Sequence, residues 1–287
     1  MKVLVFGRTG QVARELARRG GAATLECHGR ESADFADPGA CAALVDATDA
    51  DAVINAVAYT AVDRAEEEEA LAHTVNADTP GAIARAAAAR ALPLVHISTD
   101  YVFDGSGEAP RAADAPTGPL GAYGRTKLAG EEAIRAAGGP HAIVRTSWVV
   151  SAHGKNFIKT MLRLGAEREK LTIVADQVGG PTPAGDIAAA CLTIAGRLAD
   201  TPARTGTYHY AGGPDVSWAD FARVIFDRAG IDCAVEDIPT TAYPTPAARP
   251  LNSRLDCSAT ETAFGLPRPD WRDGLDAILA ELAAAQT

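Results

Sequence analysis

Cysteine is scarce in this chain, and its few copies are poorly placed for covalent or metal chemistry. The five thiols, Cys27, Cys41, Cys191, Cys233 and Cys257, are odd in number and widely scattered. That pattern excludes a disulfide framework and metal-ligand spacing, and it suits a reduced, cytoplasmic protein. Long apolar runs are also missing. Nothing approaches the ~20 unbroken residues that cross a bilayer, and the run Val3 to Phe6 is far too short for a signal peptide, so no membrane partner is expected. Positive charge is in the minority, with 27 basic against 37 acidic residues and a formal net charge of −10. A surface of that sign repels phosphate backbones and argues against nucleic acid as a partner.

The chain has ample material for a core. Of 287 residues, 47% are hydrophobic, enough for one large α/β unit or a main domain with a smaller cap. Strand-like segments at 2–6, 24–27, 52–55, 93–97 and 142–145 alternate with alanine-rich helices, which predicts a Rossmann-like, doubly wound parallel sheet covered on both faces. The alanine tract 82–91 is helix-favouring rather than disordered low complexity. No internal repeat is found. Past Trp148 the pattern loosens. Helices near 156–167, 183–198 and 218–228 and strands at 171–174 and 207–210 either complete the main sheet or build a small lobe. The expected division is therefore 1–148 for the main domain and 149–287 for a C-terminal lobe with segments returning to the sheet. The proline-rich stretch 239–250 reads as a surface loop over the cleft.

Three local patterns carry chemistry. The first is Gly7-Arg8-Thr9-Gly10-Gln11-Val12-Ala13, placed directly between a strand and a helix. Gly7 permits the tight turn, Gly10 lets the backbone approach a pyrophosphate, and Ala13 is small enough for close helix-to-strand packing. The positive end of the helix over 11–19 would face the phosphates. The plainer reading is an ordinary glycine turn. The second pattern is Ser98-Thr99 at the carboxyl end of a parallel strand, where ligands of open α/β sheets sit. A hydroxyl there can bond a carbonyl oxygen and share a developing oxyanion, although the same pair could merely cap a turn. The third is Tyr123 and Lys127, four residues apart and so on one helix face. A cation held near a phenol lowers its pKa and readies it for proton transfer, whereas such a pair taken alone is more often packing.

Together with Asn55-Ala56-Val57-Ala58-Tyr59-Thr60-Ala61-Val62-Asp63-Arg64-Ala65-Glu66, Ser98-Thr99-Asp100-Tyr101-Val102-Phe103-Asp104-Gly105, Tyr123-Gly124-Arg125-Thr126-Lys127, Arg145-Thr146-Ser147-Trp148, Asn156-Phe157, Asp176-Gln177, Gly180-Pro181-Thr182 and Arg249-Pro250-Leu251-Asn252, these patterns resemble the dTDP-4-dehydrorhamnose reductases. That family belongs to the extended short-chain dehydrogenase/reductases. The likeness spans nearly the whole chain.

The resemblance implies that NADPH delivers hydride to C4 of a dTDP-linked 4-keto-6-deoxyhexose, that Tyr123 gives the proton, that Lys127 holds the nicotinamide ribose, and that Thr99 bonds the carbonyl oxygen. It further implies that Gly7, Arg8, Thr9, Gly10, Gln11, Val12, Arg30, Asp34, Phe35, Ala56, Ala58 and Tyr59 line the cofactor cleft, with Asp34 and Phe35 at the adenine and Asn76 bracing the site. Asp100, Tyr101, Trp148, Asn156, Gln177 and Arg249 fall on the substrate side. Trp148 would stack on the sugar or base, or else serve as a core aromatic. Lys155, Lys159, Arg163 and Arg254 are further basic groups there.

NADPH is favoured over NADH. An NAD enzyme places a carboxylate near the end of the second strand, whereas this chain reads Cys27-His28-Gly29-Arg30, with Arg8 in the glycine turn. Guanidinium forks suit a 2′-phosphate, and Glu26 is the one residue that argues the other way. Magnesium is associated with some relatives of this type. The run Glu66-Glu67-Glu68-Glu69, however, reads as a solvated helix face, and consecutive glutamates on a helix point in different directions, so no metal site is assigned. The expected protein is a monomer or homodimer. Other readings are a reductase of another dTDP-4-keto-deoxysugar, a sugar-nucleotide epimerase or dehydratase, and a non-catalytic regulatory subunit resembling the methionine adenosyltransferase β subunit.

Overall fold

The apolar run near the start of the chain forms an inserted strand, β1 (Lys2–Phe6), whose last four residues are buried. The computed structural model describes residues 1–285. Within them β1 is followed by α1 (Gln11–Arg19), β2 (Thr24–His28), α2 (Pro38–Ala47), β3 (Ala52–Asn55), the short helices α3 (Val62–Ala65) and α4 (Glu69–His73), a π turn at Thr74–Asp78, α5 (Thr79–Ala89), β4 (Leu94–Thr99), α6 (Ala122–Ala137) and β5 (His141–Thr146). The second half adds β6 (Val149–Val150), α7 (Phe157–Glu167), β7 (Lys170–Val174), β8 (Val178–Gly179), β9 (Thr182–Pro183), α8 (Ala184–Asp200), β10 (Gly206–His209), β11 (Val216–Ser217), α9 (Trp218–Ala229), β12 (Ala234–Ile238), β13 (Asn252–Ser253), α10 (Ser258–Phe264) and α11 (Trp271–Ala284).

Six strands form one sheet in the order β2-β1-β3-β4-β5-β10, and every pairing is parallel. Both faces of such a sheet must be covered, and β1 shows how the sequence meets that demand. Val3 and Val5 point to one side, where they join Val12 and Leu16 of α1 and Ile187, Cys191 and Ile194 of α8. Leu4 and Phe6 point to the other, where Cys41, Val45, Ile83 and Ile134 of α2, α5 and α6 close over them. A third core, built on Ile158, Met161, Phe221, Ile225, Trp271 and Leu275, belongs to the smaller lobe. Beside it β7 pairs with β12.

Two features differ from expectation. The fourth strand runs two residues past Ile97, because Ser98 and Thr99 continue the ladder opposite Arg145 and Thr146 of β5. The acidic run is solvated, with Glu66, Glu67 and Glu69 exposed, but it does not lie on one helix face. It crosses the break between α3 and α4, and three of its four carboxylates are engaged. Glu66 accepts the Ala122 backbone N–H at 2.8 Å, Glu68 accepts from the Tyr59 hydroxyl and Arg64, and Glu69 holds Arg125 at 3.0 Å.

Helix α6 lies unusually close to its neighbours. A Cβ on Gly124 would stand 2.2 Å from the Tyr101 carbonyl oxygen, and one on Gly130 would stand 2.0 Å from that of Asn76. Glycine at both positions is therefore what allows the approach. The helix is also pinned to the sheet by a buried ion pair. Glu131 accepts from Arg145 at 2.8 and 2.6 Å and from the Ser98 hydroxyl at 2.6 Å. The Glu131 and Arg145 side chains are 0% and 3% exposed. Burial works to raise the Glu131 carboxyl, but Arg145, Ser98 and Arg135 together hold it below its ordinary value.

Arg145→Met should therefore cost about 3–5 kcal/mol at neutral pH, since it strands a buried carboxylate. The sign with pH is set by Glu131. In the native protein its stabilising contribution is present above the unfolded-state pKa and lost as pH falls through the depressed folded one. In the variant the stranded carboxylate favours protonation, so the deficit relative to the native protein shrinks on acidification. Urea denaturation at pH 7 and pH 5 reads both effects, and a deficit that grows on acidification would contradict this account.

Candidate active site

The carboxyl ends of β1, β3, β4 and β5 open on one side of the sheet, and the chemistry-bearing residues gather there. After β1 the chain turns at Gly7, whose φ is +122°. A Cβ there would meet Ala13 at 3.1 Å, so glycine supplies both the dihedral angle and the space, and Ala13 is as large as its position allows. Gly10 is the N-cap of α1 and offers no side-chain cap, and nothing lies within 4 Å of where its Cβ would be. An uncapped helix start with open space before it is the geometry a diphosphate needs. Val12 is buried, so it can approach such a ligand through its backbone, whereas Arg8 and Thr9 are exposed.

The residues expected at the adenosine end are arranged unevenly. Arg8 is paired with Glu31 at 2.6 Å, and Arg30 faces Asp34 at 3.7 Å with 83% of its side chain exposed. Phe35 does not present its ring to the cleft. It is 4% exposed and packs edge-on against Phe6 at 5.6 Å, because the second core draws it beneath the sheet edge. Ala56 and Ala58 follow β3. Tyr59 is fixed at its backbone, its N–H donating to Asn76 Oδ1 at 2.8 Å. Asn76 in turn donates to the Tyr59 carbonyl at 3.2 Å and to Thr126 Oγ1 at 3.1 Å. The residue that braces the cleft loop against α6 thus comes from the π turn, a distortion common at functional sites.

Thr99 ends β4 with its hydroxyl donating to Asp100 Oδ1 at 3.0 Å and accepting the Tyr101 N–H at 3.2 Å. Burial pushes the Asp100 carboxyl up to about 6, against hydrogen bonds from Ser253 and Thr99. Tyr101 packs edge-on against Tyr123 with ring centroids 5.4 Å apart, and burial raises its phenol, with Asp100 adding to the effect. Tyr123 itself is pushed up to about 12 by burial, while a side-chain hydrogen bond with Thr99 works in the opposite direction. The phenol is therefore protonated throughout the neutral range, which is the form a proton donor requires. One turn on, Lys127 is 1% exposed and burial lowers its amine to about 8, with Glu131 opposing. Its Nζ donates to the Ile97 carbonyl at 2.8 Å and lies 3.1 Å from His96 Nε2. Sequence reasoning passed over His96, a histidine inside an apolar strand whose only signal was its interruption of Leu94-Val95-Ile97. Asn55, whose Nδ2 lies 3.0 Å from the other ring nitrogen of His96, was likewise missed as a site residue.

The lobe contributes the opposite wall. Trp148 holds a left-handed backbone, with φ +49°, and its ring stacks on Trp218 at 3.5 Å with a 10° interplanar angle. One of its faces is therefore committed within the protein. Gln177 accepts from Trp218 Nε1 at 3.2 Å and donates to Thr240 at 3.1 Å, so it ties the aromatic stack to the proline-rich stretch. Arg249 binds Asp63 at 2.8 Å, which tethers that stretch to α3. Asn156 has a structural part of its own. It is the N-cap of α7, and its amide donates to Gln11 Oε1 at 2.9 Å and the Ser151 carbonyl at 2.7 Å, which joins the lobe to the start of α1. Among the described residues, one group of metal-capable side chains, Glu15, His153 and Glu281, brings its atoms within 4.8 Å. Arg18 and Arg19 already pair with Glu15, and none of the acidic run 66–69 takes part.

Comparison with known proteins gives one consistent result. The family model described as the RmlD substrate binding domain matches residues 1–284. The chain is 44% identical over 294 residues to the dTDP-4-dehydrorhamnose reductase of Shigella flexneri, covering 98% of each protein. Among solved structures it is similar to a dTDP-4-dehydrorhamnose reductase of Clostridium acetobutylicum, with a TM-score of 0.92 and 36% identity over 99% of this chain and 100% of that one. It is also similar to the Bacillus anthracis reductase solved in complex with NADP, with a TM-score of 0.90 and 32% identity over 98% and 99% of the two chains.

The cap formed by Asn156 gives a direct test of the lobe's attachment. Asn156→Ala should lower stability by at least about 1 kcal/mol through the lost N-cap, read as a lower thermal midpoint, and Asn156→Asp should not restore it, because the cap acceptor is kept but a carboxylate oxygen is set against the acceptors Gln11 Oε1 and the Ser151 carbonyl.

Proposed function

Because the chain belongs to the dTDP-4-dehydrorhamnose reductase family, we infer that it reduces the C4 ketone of dTDP-4-dehydro-6-deoxy-L-mannose to dTDP-L-rhamnose with NADPH. The observation that carries this reading is the meeting of Thr99, Tyr123 and Lys127 at the carboxyl end of β4, with Tyr123 and Lys127 one turn apart on α6. A ketone needs hydride on carbon and a proton on oxygen; the nicotinamide, when bound, supplies the first. The protein's own groups manage the second. The Tyr123 phenol, protonated at neutral pH, donates to the oxygen as charge develops on it, and Thr99 offers a hydroxyl to the same atom. Lys127 as the cation lowers the cost of the phenolate that remains.

The remaining roles follow from position. Gly7, Arg8, Thr9, Gly10, Gln11 and Val12 form the phosphate cradle, and Ala56, Ala58 and Tyr59 line its far wall. Arg8 and Arg30, each exposed and paired only with a surface carboxylate, exchange those partners for the 2′-phosphate that distinguishes NADPH. Asp34 stands beside them at the adenine. Asp100, Tyr101, Trp148, Gln177 and Arg249 face the nucleotide sugar, the lobe built mainly from residues 149–287 closing over the cleft whose floor is the domain of residues 1–148 together with α8 and β10, which return to its sheet.

The test follows NADPH oxidation with dTDP-4-dehydro-6-deoxy-L-mannose formed in situ. The wild type should turn over and yield dTDP-L-rhamnose, and Tyr123→Phe should lose activity by ~10²–10⁴-fold while still binding NADPH. Undiminished turnover in Tyr123→Phe removes the phenol from the mechanism. NADPH binding without oxidation in the wild type points instead to another keto sugar or to a binding subunit.

A further inference from the structure

His96 and Asn55 form a hydrogen-bonded chain beneath the catalytic lysine, and its donors and acceptors can be assigned one by one. Asn55 Oδ1 accepts the Val57 backbone N–H at 3.0 Å. That leaves Asn55 Nδ2, a donor only, facing His96 Nδ1 at 3.0 Å. Turning the amide over would place an NH₂ group against the Val57 N–H and forfeit that bond. His96 Nδ1 must therefore be the unprotonated, accepting nitrogen, and the neutral ring carries its proton on Nε2. That Nε2–H points at Lys127 Nζ, 3.1 Å away. An ammonium has three donors and no acceptor, so a protonated Lys127 would meet Nε2–H donor against donor. A neutral amine can accept from His96 and still donate to the Ile97 carbonyl at 2.8 Å. His96 is 0% exposed, so no water can separate the two. Burial by itself works to hold the ring below its ordinary pKa, so the ring is neutral beside a neutral amine.

We propose that His96 is a positioning residue that parks Lys127 as a neutral amine on β4 in the free protein, from which it is released as a cation when the nicotinamide cofactor binds. The proposal rests on the reductase reading for the second half only, since the parked state is a property of the protein alone. The surrounding charges do not favour the cation enough to reverse it. Glu131, on the same helix, is the one carboxylate that favours the ammonium, and it is already claimed by Arg145 of β5, Arg135 and Ser98. Asp100 is committed to Thr99, the phenol of Tyr123 is neutral, and β3 and the π turn contribute only the uncharged Asn55 and Asn76. Burial, against the opposing pull of Glu131, brings Lys127 to about 8, and a donor at Nε2–H acts in the same direction as burial.

Nuclear magnetic resonance on the full chain without cofactor tests the parked state. The chain has five lysines, Lys2, Lys127, Lys155, Lys159 and Lys170, and six histidines, so labelled lysine and histidine signals can be assigned by substitution. The result expected is a His96 ring with the proton on Nε2 from pH 6 to 9, and a Lys127 signal titrating below pH 8. His96→Gln, which offers an amide oxygen where the ring offered a donor, should raise the Lys127 titration by about one pH unit or more. A Lys127 that titrates with the other lysines, or a His96 proton on Nδ1, overturns the proposal whether or not His96→Gln folds. Calorimetry of NADPH binding at pH 8, in buffers of different ionisation enthalpy, tests the release. Proton uptake approaching one per cofactor supports it, binding without uptake refutes it, and absence of NADPH binding would count against the reductase reading while leaving the parked lysine to the resonance data.

Discussion

The ion pair between Glu131 and Arg145 is the constraint on which the site depends. Helix α6 carries Tyr123 and Lys127, β4 carries Thr99 and His96, and β5 carries Arg145, so the pair joins all three elements at one point. Its charges are almost completely out of water, a condition tolerated only when geometry is good and the remaining lone pairs are used. The two-pronged contact and the Ser98 hydroxyl meet that condition. A hydrophobic contact could hold helix to strand equally well but would let it slide by a fraction of a turn. The fork of a guanidinium on a carboxylate fixes the axial position, and the glycines at 124 and 130 let the helix come close enough for that fork to be reached.

Once α6 is seated, burial acts on the two working groups in opposite senses. It favours the neutral form of each, so the Tyr123 phenol keeps its proton and the Lys127 amine is drawn toward losing one. A donor phenol is useful as it stands, whereas a neutral lysine is not, because its value lies in the charge that stabilises a phenolate. The dry surroundings that suit proton donation therefore work against the cation that supports it. Under the proposal that His96 parks the lysine as a neutral amine, its charge comes from binding a partner that repays its desolvation, and a site with that property withholds full activity until it is filled.

Much of this was legible in the sequence, and the unread parts have physical causes. The parallel sheet followed from apolar segments alternating with alanine-rich helices, and the glycine turn from its place between strand and helix. Tyr123 and Lys127 announced themselves by a spacing that any helix preserves. Partners that depend on the packing of distant segments did not. Arg145 was read only as part of a motif, and nothing local joins it to Glu131. The glutamates at 66–69 are the solvated surface they looked like, and what stayed unread was their partners, Ala122, Tyr59 and Arg125, which lie on other segments. The packing of Phe35 and the bridging bonds of Asn156 went unread for the same reason. The segments they sit in do approach the cleft, but whether a ring faces outward or into the core is decided by tertiary neighbours such as Phe6.

The lobe is organised on a different principle from the floor of the cleft. Thr99, Tyr123 and Lys127 are held by strand ends and a pinned helix, whereas the opposite wall consists of Trp148 stacked on Trp218, Gln177 reaching Thr240, and Arg249 tied to Asp63. Each of those links joins a loop to the lobe or to α3, and none involves the Glu131–Arg145 pair or the hydroxyls around Tyr123. A change in the wall can therefore reshape the space for the sugar and its nucleotide without shifting the proton donor. One coupling runs through Asn156 and Gln11 at the start of α1 and another through Glu281 and Arg18 of the same helix, so the lobe is tied at two points to the helix that follows the glycine turn.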